Sequence, residues 1–243
     1  AWVLGAQSSG HKGRGPIVDL ARLRTEAGSR PLRMLNVEGT LAPFAGLGID
    51  SIALQHFRDV KAAFERTPVL NKVATGGVAY VTSIVGRTLP GFLLRPHYHV
   101  RVVNEGEPVQ RLGVDGQPVG APVEKGEVVY EGPSRMVAMS TIPYWGFGAR
   151  IFPFADDRED RFSLRVVDIN SFDVAMHIRE IWKGTYRDDR VHDFLVDRIA
   201  VHYDEAMPLQ IGGDVVGERS VVEAALSDRP IEVVDYYSPP RVG

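Results

Sequence analysis

From His97 onward the sequence is a succession of short strand-like runs divided by turn residues. No other feature constrains the fold as strongly. "HYHVRVVNEG", "QRLGVDGQPVG", "EVVYEG", "RMVAMSTI" and "FSLRVVDI" follow one another with no helical pattern between them, and "DRIAVHYD", "PLQIGGDVVG" and "PIEVVDYY" close the chain. Strands joined by short turns pair antiparallel, whereas a parallel sheet needs a helix at each crossover. Asp115-Gly116 is a hairpin signal. "FSLRVVDI", residues 162–169, alternates and predicts a half-buried strand. Ser171 to Lys183 reads as a helix with Gly184 at its C-cap.

Upstream, "RPLRMLNVEG" (30–39) predicts a strand ending in a turn. Asp50 or Ser51 can cap a helix running to about Arg66, where Thr67-Pro68 stops it. Its Ala53, Phe57, Val60 and Phe64 recur at helical spacing and predict a core face. A second helix is predicted over Gly77 to Leu89. The fold class is therefore α+β and β-rich, with sandwich-like antiparallel sheets and two or three helices.

Residues 1–29 read as a flexible linker and residues 30–243 as the folded domain. "GAQSSGHKGRG" (5–15) nearly spells a phosphate-binding loop, but Lys12 comes one place late. Gly13, Gly15 and Pro16 then forbid the helix whose N-terminus would hold phosphate.

Composition removes several function classes. Of 243 residues, 44% are hydrophobic and 24% charged, as in ordinary soluble globular chains. A net charge of −3, from 31 acidic and 28 basic residues, argues against a nucleic-acid partner. The absence of cysteine excludes disulfides, zinc–thiolate sites and thiol nucleophiles, and fits a reducing, cytoplasmic setting. The longest uncharged run, Val73 to Gly86, is shorter than the roughly 20 apolar residues of a spanning helix. Val73 to Leu94 is apolar with Lys72, Arg87 and Arg95 around it. It suits either a helix packed on the sheet or contact with an anionic membrane surface.

Three stretches invite chemistry. "IPYWGFGARIFPFA" (142–155) sets Gly146 and Gly148 among aromatics. The residues suit a β-bulge with aromatic packing, or a thin backbone that lets a ligand approach. Asp157 and Asp160 form an Asp-x-x-Asp loop, either solvated or cation-binding. Gly212-Gly213-Asp214 reads first as a hairpin turn. His97 and His99 share one side of a strand, but two ligands do not make a metal site.

The order of these pieces resembles the C-terminal domain of the diacylglycerol kinase and sphingosine kinase superfamily of lipid kinases. "FAGLGIDSIAL" (44–54) is similar to the family's short strand and Gly-x-Gly-x-Asp element before a helix. "MVAMSTIPYWGFGARIFPFADDREDRFSLRVV" (136–167) is similar to its strand, aromatic–glycine pair, Pro-x-Ala, acidic loop and strand. "IWKGTYRDD" resembles the helix end and turn that follow, and "AMPLQIGGDVVG" (206–217) stands where the family has an Asp-Gly-Glu turn after Pro-x-Gln. The resemblance covers about residues 30 to 238.

The resemblance implies a lipid-binding domain of a transferase in phospholipid metabolism, moving phosphate from ATP to the hydroxyl of diacylglycerol or a sphingoid base. It places Gly146 and Gly148 near the cleft between two domains, as cofactor-binding residues. It makes Asp157, Asp160 and the Phe162 carbonyl a Mg²⁺ site, with Arg161 where the family has glycine. It puts Gly212 where the family carries its general base, leaving Asp214 as the nearest carboxylate. The family's Gly-Gly-Asp-Gly-Thr nucleotide loop does not occur in this sequence. ATP therefore requires an N-terminal ATP-binding domain, in cis or in trans. The implied partners are a lipid, a peripheral membrane surface and that domain; a homodimer is left open. A non-catalytic lipid-binding or protein-interaction domain on the same fold is the alternative.

Overall fold

The computed structural model describes residues 28–49, 51, 98–145 and 149–235. The helices expected after Asp50 and over 77–89, the apolar run 73–94 and residues 1–27 lie outside these.

The described strands are β1 (Gly28–Leu32), β2 (Leu35–Val37), β3 (Thr40–Ala42), β4 (Phe44–Gly48), β5 (Tyr98–Asn104), β6 (Val109–Leu112), β7 (Pro118–Val123), β8 (Val128–Ser134), β9 (Met136–Ser140) and β10 (Phe162–Val167). Helices α1 (Ser171–Met176) and α2 (Ile178–Lys183) follow, then β11 (Val191–Val196), β12 (Arg198–Ile211), β13 (Asp214–Leu226) and β14 (Ile231–Asp235). Every pairing is antiparallel, as the succession of short runs requires.

The long strand β12 joins two sheets. Its first half, Ile199 to Tyr203, pairs with β5, which pairs with β8. Its second half, Leu209 to Ile211, pairs with β4. From β4 the sheet continues through β9, β10, β11, β6 and β7. β13 runs along the other side of β12, with a register shift between His202 and Met207 where the strand changes sheet. One core unites both layers: Val100, Val102 and Val201 from the first, Val137, Met139 and Leu164 from the second. The Tyr130 ring on β8 meets the His192 ring on β11 with centroids 4.8 Å apart. This is the expected sandwich.

The second sheet is covered on its far side as well. Met136, Ala138, Phe152, Ala155, Val167 and Ile169 form another core, against which Trp145, Val174, Ile181 and Tyr186 pack. Strands β4, β9 and β10 are consequently buried at every position. The strand part of "FSLRVVDI", Phe162–Val167, is thus fully buried rather than half-buried. Its alternation comes from Ser163 and Arg165, and Arg165 is buried because it is paired. Arg165 Nε and Nη2 donate to both carboxylate oxygens of Asp193 on β11, at 2.7 and 2.8 Å. Its Nη1 donates to the Ile151 carbonyl and so ties the covering segment to the sheet.

Other expectations shift locally. "RPLRMLNVEG" divides between β1, which pairs with β14 in a separate two-stranded sheet, and β2, which belongs to the large sheet. The single helix over 171–183 is two short ones, broken at His177 (φ −111°, ψ 20°). Asn170 caps α1 by accepting from the Asp173 amide at 2.8 Å. Gly184 ends α2 in the left-handed region at φ 71°, and a Cβ there would stand 2.5 Å from the Arg150 carbonyl oxygen. Only glycine meets both conditions.

Candidate active site

The antiparallel ladder brings the candidate stretches to one end of the second sheet. β4 opposes both β12 and β9, so the start of β4 lies beside the ends of the other two: Ala45 faces Ile211, and Phe44 faces Ser140. β10 opposes β9, so its start lies there too, with Ser163 facing Ser140. The Gly212-Gly213-Asp214 turn, the 141–155 segment and the acidic loop therefore leave the sheet at the same rim. Three strand spacings of about 4.8 Å, roughly 14 Å in all, separate β12 from β10.

Gly212-Gly213 is the two-residue turn between β12 and β13. Both glycines have positive φ, 62° and 93°, as a type I′ hairpin turn requires. The Gly212 amide donates to the Phe44 carbonyl at 2.9 Å. The Gln210 side chain, almost wholly buried, accepts from the Gly213 amide at 2.8 Å. Asp214 is the first residue of β13 and is exposed.

Across β4 the 141–155 segment is fastened to the same strand. The Thr141 amide donates to the Pro43 carbonyl at 2.9 Å, and the Ser140 hydroxyl donates to the Ile142 carbonyl at 2.6 Å. The Trp145 ring stands edge-on to Phe44 at 6.2 Å and tilted against Phe152 at 5.9 Å. Its amide donates to the Ala149 carbonyl at 2.8 Å. Gly146 and Gly148 themselves lie outside the described residues. The aromatics beside them serve packing, with Trp145 joining the segment to the residue that receives the Gly212 hydrogen bond.

The acidic loop is an ion-pair network. Arg158 Nε and Nη2 donate to the two oxygens of Asp160 at 2.8 and 2.6 Å, and Arg161 Nη1 lies 3.4 Å from one of them. These hydrogen bonds from Arg158 hold the Asp160 carboxyl below the usual carboxylate range, against the opposing effect of burial. Asp157 shifts the other way. Burial and then neighbouring Asp156 push its carboxyl up, opposed by Arg150. Phe162 is the first residue of β10, with its side chain fully buried. As arranged, these residues do not fit Mg²⁺. Asp160 has both oxygens on one guanidinium and a second guanidinium beside it, and a cation would have to displace them. Among the described residues no group of three or more His, Asp or Glu side chains gathers as metal ligands. His99 is exposed, and His97 lies outside the described residues.

Only one of the rim's other polar parts is marked in the sequence. Gln210, which holds the turn, is the glutamine of the Pro-x-Gln pattern, whereas Arg165, which anchors Ile151, reads as an ordinary strand residue. A groove of about 520 Å³ lies elsewhere, at the opposite end of β12, lined by Glu38, Glu105, Arg198 and Glu223 among others. Its acidic lining suits neither phosphate nor an acyl chain.

No protein-family model matches this chain, and no curated protein does. Solved structures do. A protein from Bacillus anthracis str. Sterne described as a "putative diacylglycerol kinase" superposes with a TM-score of 0.50 at 16% identity, over 82% of this chain and 55% of its own. The chain has a diacylglycerol kinase-like fold. A second structure from the same organism, described as a diacylglycerol kinase, matches at 11% identity and a TM-score of 0.45, over 82% of this chain and 51% of its own. The chain thus spans about half the length of the solved structures it matches. Among the described residues no helix is long and apolar enough to cross a membrane.

Proposed function

We propose that this chain is the lipid-holding part of a lipid kinase-like transferase, acting with an ATP-binding domain in cis or in trans. The supporting observation is the rim: the Gly212-Gly213-Asp214 turn and the 141–155 segment share the Pro43-Phe44 strand start. In this reading a lipid hydroxyl oxygen attacks the γ-phosphorus of ATP, the bond to the β-phosphate oxygen breaks, and ADP leaves. Asp214 takes the hydroxyl proton. Most of the catalysis is positioning and charge neutralisation, which a second domain would complete.

A second reading is favoured by one specific observation. Gly212 is the first central residue of the type I′ turn, a position that would also accept aspartate, so glycine there leaves no acidic residue where the family has its base. On that reading the fold binds lipid without chemistry.

The test is transfer of radiolabelled phosphate from ATP to a mixed lipid extract, by this chain alone and by the full product of its gene. Lipid binding is followed separately by calorimetry with dihexanoylglycerol, which is water-soluble and needs no bilayer. Transfer by the full product alone, abolished by Asp214→Asn, supports the first reading. Binding without transfer supports the second. Neither binding nor transfer overturns both.

A further inference from the structure

The helices α1 and α2 leave an apolar surface turned outward. Phe172 is 66% exposed, Met176 64%, Ile178 51% and Trp182 38%, all within eleven residues. These are large side chains on two helices that are already packed. Val174 and Ile181 face the second core, and the Arg150 amide donates to the Trp182 carbonyl at 2.8 Å. At 100° per residue, Phe172 and Met176 lie on the side of α1 away from Val174. Ile178 and Trp182 form one edge of α2, and Arg179 and Lys183 form the row beside it.

The charges around this surface are sorted. Arg190 pairs with Asp173 at 2.7 Å and with Asp188 at 2.7 Å, so one cation is shared by two of the acids flanking the helices. Glu180 falls on the far side of the Arg179–Lys183 row from Ile178 and Trp182. Arg179 and Lys183 are exposed and make no ion pair with any described residue. Ile178 and Trp182 thus stand beside a row of exposed cations on the same helix, with Phe172 and Met176 on the helix before it. That arrangement suits the interface of an anionic bilayer, where aromatic rings enter the headgroup layer and cations meet lipid phosphates.

The size of the patch argues the same way. At roughly 200 Å² for a whole large side chain, the four residues expose on the order of 400 Å². A stable dimer needs about 800 Å² from each partner. A bilayer sets no such minimum, because it accepts a few inserted side chains.

We infer that the outer face of α1 and α2 docks this protein on anionic membrane, with Phe172, Met176, Ile178 and Trp182 inserted and Arg179 and Lys183 on the headgroups. This surface is distinct from the rim of the second sheet, and the inference does not depend on phosphoryl transfer. It is also distinct from the apolar run 73–94.

The experiment is flotation of the chain with vesicles of phosphatidylcholine alone and of phosphatidylcholine with phosphatidylglycerol at 7:3. Expected is recovery with the anionic vesicles, reduced roughly tenfold by Arg179→Glu with Lys183→Glu and lost in Phe172→Ser with Trp182→Ser. Brominated acyl chains should quench the wild-type tryptophan fluorescence and leave a Trp182→Phe variant much less affected. Circular dichroism and thermal melting of each variant check that it folds. The inference fails if the folded variants float like wild type, if wild type stays in the lipid-free fraction, or if brominated lipid quenches Trp182→Phe equally. It fails too if sedimentation shows a dimer that Phe172→Ser with Trp182→Ser dissociates, since a second copy would then cover the face. Dihexanoylglycerol binding is read separately, so loss of docking with that binding intact condemns this face and not the lipid-holding reading.

Discussion

The pairs Arg165–Asp193 and Arg158–Asp160 have the same two-pronged geometry in opposite settings. In each, the guanidinium donates Nε and Nη2 to the two carboxylate oxygens, at 2.7 and 2.8 Å in one and 2.8 and 2.6 Å in the other. The first lies between β10 and β11 with both side chains under 10% exposed; the second stands on a loop with both more than half exposed. Geometry alone therefore says little about what a pair contributes. In the interior, each partner exists to neutralise the other, and the third nitrogen of Arg165 does structural work by holding Ile151. At the surface, water competes for the same hydrogen bonds and screens the attraction. What the exposed pair does is occupy Asp160, so that a cation would have to displace Arg158 to reach it.

The widest gap between the two pairs should open on removing one partner. Asp193→Ala leaves Arg165 buried and uncompensated and should cost about 3–5 kcal/mol in urea unfolding. Arg165→Met with Asp193→Leu should recover most of that loss, because two apolar groups of similar size need no partner. A double variant as unstable as the single one would mean that the tie to Ile151, and not charge burial, is what matters.

An intermediate case sharpens the comparison. Arg190 grips Asp188 at 2.8 and 2.7 Å with the carboxylate side chain 20% exposed, and Tyr186 donates its hydroxyl to the same group at 2.9 Å. Burial and the bond to Asp188 push the Tyr186 phenol up to about 12. Its folded value is raised, so the stability it contributes is complete below the ordinary tyrosine range and is lost as pH rises through about 12. Tyr186→Phe should cost about 1 kcal/mol at neutral pH. It should also remove a late-titrating phenol from the 295 nm absorbance curve, and a curve unchanged in its alkaline limb would contradict the assignment.

The exposed pair should give the smallest response. Asp160→Asn should change stability by less than about 0.5 kcal/mol. The Asp160 carboxyl is held down in the folded state, so its small contribution is present above the ordinary carboxylate range and fades as pH falls through the folded value. Millimolar Mg²⁺ should leave the wild-type Tm unchanged, and Arg158→Gln should make it rise. A wild-type Tm that falls with EDTA, and stops doing so in Asp160→Asn, would show that the cation displaces Arg158 after all.

These pairs also mark where the sequence stops being legible. The hairpin at Asp115-Gly116, the glycine cap at 184 and the glycine turn at 212–213 could all be read locally, because each is set by backbone conformation within a few residues. The antiparallel, β-rich class followed from the spacing of strands and turns. "FSLRVVDI" reads as half-buried because the polar partner of its Arg165, Asp193, is 28 residues away on "VHDFLV". The second half of β13 escaped for a similar reason: "SVVEAAL" is a partner-dependent strand with an exposed face. The rim could not be seen at all. Asp157, Asp160 and Asp214 were each visible as residues, but their placement at one end of four neighbouring strands is a property of the ladder.

The change of sheet within β12 has a mechanical consequence. Its fourteen residues are one continuous backbone shared by both layers, and β13 pairs with both of its halves. A slip of one residue in either layer would drag the strand through the other and turn its core side chains outward. The layers are thus geared together like two wheels on one shaft. The exposed stretch Asp204 to Ala206, within the larger of the two irregularities in the pairing of β12 with β13, is slack between them. A single proteolytic cut there would uncouple the rim of the second sheet from the first, leaving each to hold its register alone.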